Sequence, residues 1–345
     1  MKVLITGGAG FVGSHAAEFF SRDNDVTVYD NLSRSQLLAR PDNNSKYNLD
    51  YLKARGPGIK FCEADLRDFQ SLKNAAKGAN FVVHTAGQVA VTTSVKDPRT
   101  DFEINALGTL NVLEAARLSD AAVVFCSTNK VYGETVNNIL VVEEDKRYVF
   151  NNAQYVNGIP EGFSTDNTGH SPYGSSKLAA DTYVQDYAHT YGLRTCVFRM
   201  SCIYGERQFG VEDQGWLAWF TISTLTGRRI TIYGDGKQVR DTLYVKDLVD
   251  AFDRFLKSKI KHSVFNMGGG PQNTLSLLEL LDLLREMTGV MPEVTFQEWR
   301  PADQRVYISD IRKAEEMLHW RPKVAPQEGV KRVVNWVREN RHLFS

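Results

Sequence analysis

A glycine-rich turn between the first apolar run and the first amphipathic stretch constrains the fold of this chain more than any other feature. The glycines Gly7, Gly10 and Gly13 are spaced three apart. They follow the run Lys2–Thr6 and open the helical stretch Gly10–Ser21. In such a turn the first glycine allows a tight bend, the second lets backbone approach a bound group, and the third lets the helix pack on its strand. The sequence therefore begins with a strand, a turn and a helix.

Short β-branched runs alternate with amphipathic stretches through the first two thirds of the chain. The predicted strands are Lys2–Thr6, Val26–Asp30, Lys60–Glu63, Phe81–Thr85, Ala122–Ser127 and Arg194–Arg199. The predicted helices are Gly10–Ser21, Phe69–Lys77, Pro98–Leu118 and Tyr173–Tyr191. This alternation predicts an α/β fold in which a Rossmann-type, doubly wound parallel sheet carries helices on both faces. Apolar runs bounded by turns are typical of strands buried on both sides.

The pattern changes after about Gly205, which predicts a second, smaller α/β lobe. We expect residues 1–205 to form most of the first domain, with 240–260 returning to it, and residues 206–345 to form most of the second. The second domain includes a leucine-rich helix predicted at Ser276–Thr288. The segment Val141–Thr168 is polar and aperiodic, which predicts a long loop of the lid or binding kind.

The composition argues against several classes of partner. The formal net charge is zero and there is no Lys/Arg block, which argues against a nucleic acid or an anionic membrane as partner. The first apolar run breaks into glycines after four residues, so it predicts a strand rather than a signal peptide, and no stretch approaches the length of a membrane span. The cysteines lack metal-ligand spacing, which predicts no metal site and buried, reduced thiols in a cytoplasmic protein. They are Cys62, Cys126, Cys196 and Cys202.

The strand, glycine turn and helix together predict a dinucleotide site. The start of the helix offers unpaired N–H groups and the positive end of its dipole to a pyrophosphate. Asp30 ends the second predicted strand, about 20 residues on, where a carboxylate accepts from both ribose hydroxyls and repels a 2′-phosphate. This position favours NAD over NADP, although Arg34 is a residue type that can hold a 2′-phosphate. A turn-forming role for Asp30 is the alternative.

Asp65 follows the third predicted strand and has two interpretations. It is placed to meet the adenine of a dinucleotide, or it caps the next helix. The residues alone leave both open.

Tyr173 and Lys177 are four residues apart on a predicted helix, so they share one face. A neighbouring ammonium, together with a positive nicotinamide, stabilises a phenolate and lowers the pKa of a tyrosine. Tyr173 then becomes a base for a hydroxyl proton and, in reverse, an acid. Thr128 follows the strand Ala122–Ser127 and is placed to hydrogen-bond the same oxygen. Taken alone, a Tyr four residues before a Lys is typical of a solvated helix face, and a single Thr is typical of a cap. Their order after the glycine turn favours the catalytic interpretation.

An ordered set of motifs carries a family resemblance. The motifs are Gly7-x-x-Gly10-x-x-Gly13, His84-x-Ala86-Gly87, Ser127-Thr128-x-x-Val131-Tyr132-Gly133, Tyr173-x-x-x-Lys177 and Arg240-Asp241. In this order they resemble the extended short-chain dehydrogenase/reductases over nearly the whole chain. The resemblance implies NAD-linked hydride chemistry on nucleotide sugars, with a C-terminal lobe that binds the substrate. It also implies a homodimer whose interface is formed by the helices Pro98–Leu118 and Tyr173–Tyr191.

The resemblance further implies roles for single residues. Asn105 is expected near the cofactor, and Arg240, Arg300 and Asp303 near the nucleotide diphosphate or its ribose; without the family, surface ion pairs would be the better interpretation of these three. The complete predicted cofactor-binding set is Gly7, Gly10, Phe11, Val12, Gly13, Asp30, Asn31, Ser33, Arg34, Asp65, Leu66, Ala86, Gly87, Gln88, Asn105, Ser127, Tyr173, Lys177 and Met200.

The residues after Thr128 bear on the type of reaction. Related sugar dehydratases carry Asp-Glu immediately after the threonine, whereas this chain has Asn129-Lys130. Neither side chain replaces the carboxylic acid and carboxylate with which a dehydratase removes a C5 proton and expels the C6 hydroxyl. An epimerase needs only a base such as Tyr173 and a bound NAD that takes a hydride and returns it. Epimerisation is therefore favoured.

Further strings resemble the CDP-tyvelose 2-epimerases, also called CDP-paratose 2-epimerases. The strings are Gln88–Ser94, Ser127–Gly133, His170–Gly174, Arg207–Phe209, Asp213–Trp216 and Gly236–Asp241. That family oxidises C2 of its sugar rather than C4, and Cys202, which replaces an Asn of many 4-epimerases, fits it. The implied substrate is a CDP-linked sugar, contacted by Gln88, Thr93, Thr128, Asn129, Cys202, Gln214, Arg240, Arg300 and Asp303. For Gln88, Thr93, Asn129 and Gln214, an ordinary polar loop residue is the alternative.

Other functions stay open at this point. A UDP-hexose 4-epimerase uses the same catalytic residues. A catalytically inactive dinucleotide-binding sensor would keep the glycine turn, but it would be expected to lose the pair Tyr173 and Lys177, which is intact here. The sugar itself is open between tyvelose, paratose, glucose and another hexose.

Overall fold

Strands and helices alternate along the residues that the computed structural model describes, which are 1–38, 46–55, 58–300 and 303–344. The strands are β1 (Lys2–Thr6), β2 (Asp25–Asp30), β3 (Ile59–Glu63), β4 (Phe81–His84), β5 (Ala122–Thr128), β6 (Val141–Glu143), β7 (Tyr148–Phe150), β8 (Thr195–Met200), β9 (Cys202–Tyr204), β10 (Ile230–Tyr233), β11 (Val239–Tyr244), β12 (His262–Met267), β13 (Thr274–Ser276), β14 (Val294–Gln297) and β15 (Val306–Tyr307). The helices are α1 (Phe11–Phe20), α2 (Arg34–Leu37), α3 (Tyr47–Lys53), α4 (Phe69–Ala76), α5 (Val91–Lys96), α6 (Pro98–Phe102), α7 (Gly108–Leu118), α8 (Ser171–Tyr191), α9 (Trp216–Thr226), α10 (Val245–Lys257), α11 (Leu277–Thr288), α12 (Arg312–Leu318) and α13 (Pro326–Glu339). None of these described helices is long and apolar enough to span a lipid bilayer.

The chain divides into two compact units, each built from three stretches of sequence. The first unit comprises Met1–Val131, Ser171–Arg199 and Val249–Phe265. The second comprises Tyr132–His170, Met200–Leu248 and Asn266–Ser345. The segment Tyr132–His170 belongs to the second unit, and the late segment Val249–Phe265 belongs to the first.

A seven-stranded sheet with the order β12-β8-β5-β4-β1-β2-β3 organises the first unit. The pairs β1–β2, β1–β4, β2–β3 and β4–β5 are parallel. The predicted Rossmann-type, doubly wound α/β sheet is thus confirmed. The direction of strand succession reverses between β1 and β4, where Thr6 lies beside His84. In open α/β sheets, ligands bind at the carboxyl ends of the strands at this reversal.

The strands of the sheet are buried because their sequences are apolar on both faces. Every residue of β5 is buried, and so are the four residues of β4. On the helical side, small residues such as Ala16 and Ala17 let α1 pack tightly on the sheet. A core of aliphatic side chains that includes Leu4, Val82 and Val123 then fixes the strand ends, which carry the polar residues described below.

The helix predicted over Pro98–Leu118 is interrupted by a wider, π-helical turn. α6 passes directly into this turn, Glu103–Leu107, which passes into α7. Such turns are rare and are found frequently at functional sites. The turn carries Asn105, whose amide group bonds to Gln88 rather than pointing away from the helix. Periodicity predicts the length of this helix but not its local widening.

The second unit contains smaller sheets and corrects one prediction. β6 and β7 form an antiparallel pair in which Val142 lies beside Val149, so part of Val141–Thr168 is a hairpin rather than an irregular loop. The strands have three residues each, too few for their alternation to stand out beside a charged turn. β11 pairs with β9, β13 and β15, and β10 pairs with β14.

The leucine-rich helix of the second unit begins one residue later than predicted. Ser276 is its N-cap: the Ser276 hydroxyl accepts from the Glu279 backbone N–H, and the Glu279 carboxylate accepts from the Ser276 N–H. This capping box defines the start of α11, and Gly289 in a left-handed conformation ends it.

Candidate active site

The glycine turn after β1 lies against the loop after β4. Gly7 has a φ of 68°, and a Cβ added to it would lie 2.6 Å from the Ala86 backbone nitrogen. A Cβ on Gly13 would lie 2.1 Å from the Gly7 carbonyl oxygen. Both positions therefore require glycine, one for its conformation and both for close backbone packing. The turn reaches the point where the strand order reverses.

The start of α1 is open to an anion. Its N-cap is Gly10, no side chain caps it, and its first turn has no acidic residue among the described residues. Asp30, at the end of β2, accepts from the Ala9 N–H through Oδ2 at 3.0 Å and from the Leu32 N–H through Oδ1 at 2.8 Å. Burial raises the pKa of this carboxyl group, and the backbone hydrogen bonds oppose that effect. A free helix start beside a fixed carboxylate fits the pyrophosphate and ribose of a dinucleotide.

Asp65 is tied to the loop after β2 and does not cap a helix. Its carboxylate accepts from the Asn31 side-chain amide at 2.8 Å and from the Arg67 guanidinium at 2.8 and 2.9 Å. The hydrogen bond from Arg67 is the main reason why the pKa of Asp65 falls to about 2. The N-cap of α4 is Asp68 instead, which accepts from the Ser71 N–H. The capping interpretation of Asp65 is therefore wrong.

The other predicted cofactor residues lie at the same ends of the first five strands, or end β8. The Ser33 hydroxyl donates to Asn31, and the Leu66 carbonyl accepts from Asn111. A Cβ on Gly87 would lie 2.9 Å from Asn105 Oδ1 and 3.9 Å from Lys177 Nζ, which brings these three residues together. The positions of the rest are Phe11 and Val12 in the first turn of α1, Arg34 at the start of α2, Ala86 after β4, Ser127 in β5 and Met200 at the end of β8.

Thr128, Tyr173 and Lys177 are brought together in the first unit. Thr128 ends β5, and its side chain hydrogen-bonds the phenol of Tyr173 on α8. Lys177, one turn along α8, donates to the Cys126 carbonyl oxygen at 2.7 Å and lies 4.1 Å from the centre of the Phe125 ring. All three side chains are buried. The threonine, the phenol and the ammonium thus occupy one polar cluster at the end of β5.

Burial shifts the acid–base properties of this cluster. It raises the pKa of Tyr173 to about 12, and the hydrogen bond between the phenol and Thr128 opposes that effect. It lowers the pKa of Lys177 to about 8. The sequence predicted a lowered pKa for the phenol, and the protein groups alone do not produce it. A positive charge from the cofactor is needed to make Tyr173 an effective base near neutral pH.

Several residues that the sequence analysis missed support this cluster. The Ser94 hydroxyl accepts from the Tyr173 N–H, an otherwise unpaired donor in the first turn of α8. Asp181, one turn beyond Lys177, accepts from the Ser127 hydroxyl at 2.8 Å. Ser127, predicted to contact the cofactor, therefore uses its hydroxyl within the protein. In the sequence, the only sign of a role for Asp181 is that it lies four residues after Lys177 and so shares its helix face.

Asp181 and Arg199 form a buried ion pair. Arg199 Nε donates to Asp181 Oδ2 at 2.9 Å, and Arg199 Nη2 donates to Oδ1 at 3.1 Å. The aspartate side chain is fully buried and the arginine side chain is 8% exposed. Two hydrogen bonds in this geometry fix the middle of α8 to β8.

The candidate substrate residues of the first unit differ in how strongly their side chains are hydrogen-bonded within the protein. Gln88 is buried, and its side-chain amide donates to the Ala90 carbonyl and to Asp101, at 2.9 and 2.7 Å. The Asn129 Oδ1 accepts from Thr128 at 3.3 Å. Thr93, in α5, donates weakly to the Leu37 carbonyl at 3.5 Å. Substrate contacts by these residues stay predictions.

The candidate residues of the second unit form two ion pairs. Arg240 is largely buried and donates to Asp303 at 2.7 Å, so this pair is not an ordinary surface pair. Arg300 donates to Asp213 at 2.8 Å and stacks on the Tyr233 ring, with its guanidinium carbon 4.0 Å from the ring centre.

The two remaining candidates of the second unit lie near α9. The sulfur of Cys202 accepts from the Trp216 indole N–H at 3.3 Å. The Gln214 backbone pairs with Val211. Among the described residues, no group of three or more His, Cys, Asp or Glu side chains is arranged to hold a metal ion.

Known proteins are similar to this chain over nearly its whole length. CDP-paratose 2-epimerase of Salmonella typhi is 41% identical over 97% of this chain and 99% of its own length. A putative UDP-glucose 4-epimerase of Methanocaldococcus jannaschii is 34% identical over 98% of this chain and 99% of its own length.

Solved structures resemble this chain to a similar extent. The UDP-glucose 4-epimerase of Thermotoga maritima, solved with UDP-glucose, has a TM-score of 0.81 and 32% identity over 99% of each chain. The UDP-glucose 4-epimerase of Thermus thermophilus, solved in complex with NAD, has a TM-score of 0.80 and 33% identity over 98% of this chain and 99% of that one.

A family model agrees with these relatives. The model described as the NAD dependent epimerase/dehydratase family matches residues 3–268, which include the glycine turn, Thr128, Tyr173 and Lys177. The match covers well over half of the chain, and the relatives align over nearly all of it. The chain is therefore an enzyme of the NAD dependent epimerase/dehydratase family, and NAD is its cofactor.

Proposed function

We propose that this enzyme is a nucleotide-sugar 2-epimerase that inverts C2 of a CDP-linked sugar of the paratose and tyvelose kind. The observation that carries the proposal is the 41% identity to CDP-paratose 2-epimerase of Salmonella typhi over almost the full length of both chains. The cluster of Thr128, Tyr173 and Lys177 supports it, because these residues can take a proton from a sugar hydroxyl and return it.

The cofactor-binding residues would hold the dinucleotide at three places. The glycine turn and the start of α1 would hold the pyrophosphate, and Asp30 would hold the adenosine ribose. Tyr173 and Lys177 would hold the nicotinamide ribose. When bound, NAD supplies the acceptor for a hydride from the sugar carbon and returns that hydride afterwards.

The residues of the first unit move the proton that accompanies the hydride. Tyr173 Oη takes the proton of the C2 hydroxyl as the carbon is oxidised to a ketone. Thr128 holds the phenolic oxygen in place. The Lys177 ammonium, one turn along α8, would balance the negative charge of the phenolate. After the ketone has turned its other face, Tyr173 gives the proton back to the new C2 hydroxyl. No proton is lost to solvent and no other acid is needed.

A dehydration is disfavoured by the residue that follows Thr128. Asn129 is an amide whose oxygen accepts from the Thr128 hydroxyl, so this position supplies neither a carboxylic acid nor a carboxylate. Expulsion of a C6 hydroxyl would lack its proton donor here.

The arginines of the second unit are the proposed contacts of the nucleotide diphosphate. The guanidinium of Arg240 is held by Asp303 and that of Arg300 by Asp213, so both are fixed before a ligand arrives. A guanidinium donates to two phosphate oxygens at once, which suits a diphosphate. Gln214 and Cys202 are the proposed contacts of the sugar.

We expect the purified enzyme to invert C2 of CDP-paratose or CDP-tyvelose and to leave UDP-hexoses unchanged. Each nucleotide sugar is incubated with the enzyme in deuterium oxide, and the products are identified by NMR. Solvent deuterium should not enter C2, because the same hydrogen leaves and returns. CDP-glucose is the comparison substrate for CDP-paratose and CDP-tyvelose, since it has the same nucleotide and differs only in the sugar.

A UDP-hexose 4-epimerase is the second candidate, and the 34% identity to a putative UDP-glucose 4-epimerase favours it. Conversion of UDP-glucose to UDP-galactose, with every CDP-sugar left unchanged, would establish the second candidate and exclude the first.

The proposed enzyme is a homodimer, joined through the helices of the first unit. Exposed apolar side chains gather on these helices, and a shallow groove runs along α8. The exposed side chains are Val95, Phe102, Leu107, Leu118, Tyr183 and Tyr191. The groove is lined by Ser175, Leu178, Ala179, Thr182, Tyr183 and Asp186. A second copy would cover this apolar surface.

A negatively charged side chain in the groove along α8 should dissociate the dimer into single chains. Tyr183, 46% exposed, is replaced by Glu, and the mass in solution is measured by light scattering during gel filtration. We expect the mass of two chains for the unaltered protein and of one chain for Tyr183→Glu, because a carboxylate is costly to bury in an apolar interface. Met291→Glu, at an exposed apolar position of the second unit, is the matched control and should stay dimeric. A single-chain mass for the unaltered protein excludes the dimer.

A further inference from the structure

A buried carboxylate, Asp101, lies beside the catalytic helix and has no part in the chemistry described so far. It belongs to α6 and is 1% exposed. No arginine or lysine forms an ion pair with it among residues 1–38, 46–55, 58–300 and 303–344. In this respect it differs from Asp181, which is paired with Arg199. Burial raises the pKa of the Asp101 carboxyl group, and the hydrogen bonds that it accepts from Ser176, Gln88 and Asn105 oppose that effect.

Hydrogen bonds from three elements converge on Asp101. Oδ1 accepts from the side-chain amides of Gln88 at 2.7 Å and Asn105 at 3.1 Å. Oδ2 accepts from the Ser176 hydroxyl at 2.5 Å. Ser176 is the neighbour of Lys177 on α8, and Gln88 lies in the loop after β4. The carboxylate therefore connects the loop, the π-helical turn and the catalytic helix.

The ammonium of Lys177 is the positive charge that faces this network. It is buried, and it donates a hydrogen bond to a neutral carbonyl, that of Cys126. Gly87 lies beside Lys177 and beside one member of the network: a Cβ on Gly87 would be 2.9 Å from Asn105 Oδ1 and 3.9 Å from Lys177 Nζ.

The other titratable groups that face Lys177 are Tyr173 and Asp181 on α8, Cys126 on β5 and His84 on β4. Burial keeps His84 neutral by lowering its pKa to about 3, and it raises the pKa of the Cys126 thiol to about 12. Asp181 forms its ion pair with Arg199. Asp101 is therefore the carboxylate facing Lys177 that has no bonded cation among the described residues.

We propose that Asp101 is a positioning residue whose carboxylate balances the buried ammonium of Lys177 and, through Ser176, holds the start of the catalytic helix against the Gln88 loop. Burial lowers the pKa of Lys177, and Cys126, Asp181 and Asp101 oppose that effect, in this order of size. The negative charge of Asp101 also raises the pKa of Tyr173. Asp101 thus keeps both groups protonated to a higher pH than they would otherwise reach. The kinetic consequence rests on the proposed epimerase activity, but the charge balance itself does not.

The decisive measurement is the titration of Lys177 in Asp101→Asn. Protein with isotopically labelled lysine, loaded with NAD, is titrated by NMR, and the Lys177 signal is identified by its loss in Lys177→Met. Asparagine keeps the size of the side chain and removes the charge, so the Lys177 midpoint should move to lower pH. The pH profile of epimerase turnover should move in the same direction, because the pKa values of Tyr173 and Lys177 both fall. An unmoved midpoint overturns the proposal, even if no sugar is turned over.

Two controls separate charge from structure. Asp97→Asn removes a carboxylate at the exposed N-cap of the same helix, where Asn also caps well, and should leave the Lys177 midpoint in place. Ser176→Ala removes one hydrogen bond to Asp101 but no charge, and should move the midpoint much less than Asp101→Asn.

A measurement on the unaltered protein covers the case in which Asp101→Asn fails to fold. The Asp101 carboxyl carbon, assigned through its own backbone amide, should show an ionised carboxylate at neutral pH. A protonated carboxyl there overturns the proposal. If the charge balance holds and no nucleotide sugar is converted, the proposed function fails and the positioning role stands.

Discussion

Replacing Tyr173 with phenylalanine is expected to lower epimerase turnover by about 10²–10⁴-fold, the usual contribution of a positioned acid or base. The phenyl ring fills the same buried space on α8, so the fold should persist and the protein should still bind NAD. The loss comes from the missing oxygen, which is the group that Thr128 hydrogen-bonds and that would take the sugar proton. Turnover is measured by NMR of the nucleotide sugar, and bound NAD is measured per chain after denaturation.

The control for this substitution is another tyrosine of the same helix. Tyr191→Phe, at the exposed end of α8, removes an identical hydroxyl far along the helix and should leave turnover unchanged. Undiminished turnover in Tyr173→Phe would show that another group moves the proton. A loss of bound NAD together with turnover would assign Tyr173 to cofactor binding rather than to proton transfer.

Arg199→Met is expected to destabilise the protein by about 3–5 kcal/mol, the usual effect of removing one partner from a buried ion pair. Asp181 is fully buried, and both of its oxygens accept from Arg199. Methionine would leave that carboxylate with hydrogen bonds from the neutral side chains of Ser127 and Gln185. Unfolding by heat and by urea measures the loss. For large domains, each kcal/mol corresponds to roughly 2–4 °C in Tm.

The double variant Arg199→Met/Asp181→Leu tests the physical reason. It removes both charges and fills the site with apolar groups, so it should recover most of the stability that the single variant loses. If the double variant is no more stable than Arg199→Met, the loss arises from packing and not from an uncompensated charge. A single variant as stable as the unaltered protein would contradict the burial of the pair.

Six of the seven strands of the central sheet, and the longer helices of the first unit, could be predicted closely from periodicity. The edge strand β12 and the short helices α2, α3 and α5 were not predicted. The predicted strand Lys2–Thr6 coincides with β1, and the predicted helix Phe69–Lys77 is one residue longer than α4. The reason is physical. A strand buried on both faces must be apolar throughout, and a helix that packs on the sheet must carry its apolar residues on one face. The family and the NAD cofactor were also predicted correctly, because the glycine turn, the threonine and the Tyr/Lys pair each have a fixed chemical purpose.

The sequence could not predict contacts between distant segments. Nothing in the pattern around Asp101 indicates that it meets Gln88 and Ser176, because these residues come from different elements and are brought together only by packing. The same holds for Arg199 and Asp181. The effect of burial, which raises the pKa of Tyr173 in the protein alone, could not be predicted either, because burial is a property of the folded chain and not of a spacing of four residues.

The seven-stranded sheet has a consequence for synthesis on the ribosome. Its last strand in sequence, β12, lies at one edge of the sheet, beside β8. The other six strands can assemble in their final order while β12 is still being translated, and no strand has to be inserted between partners that are already joined. A nascent chain that ends before β12 would expose an unpaired edge of β8, where another chain could pair until His262–Met267 has left the exit tunnel.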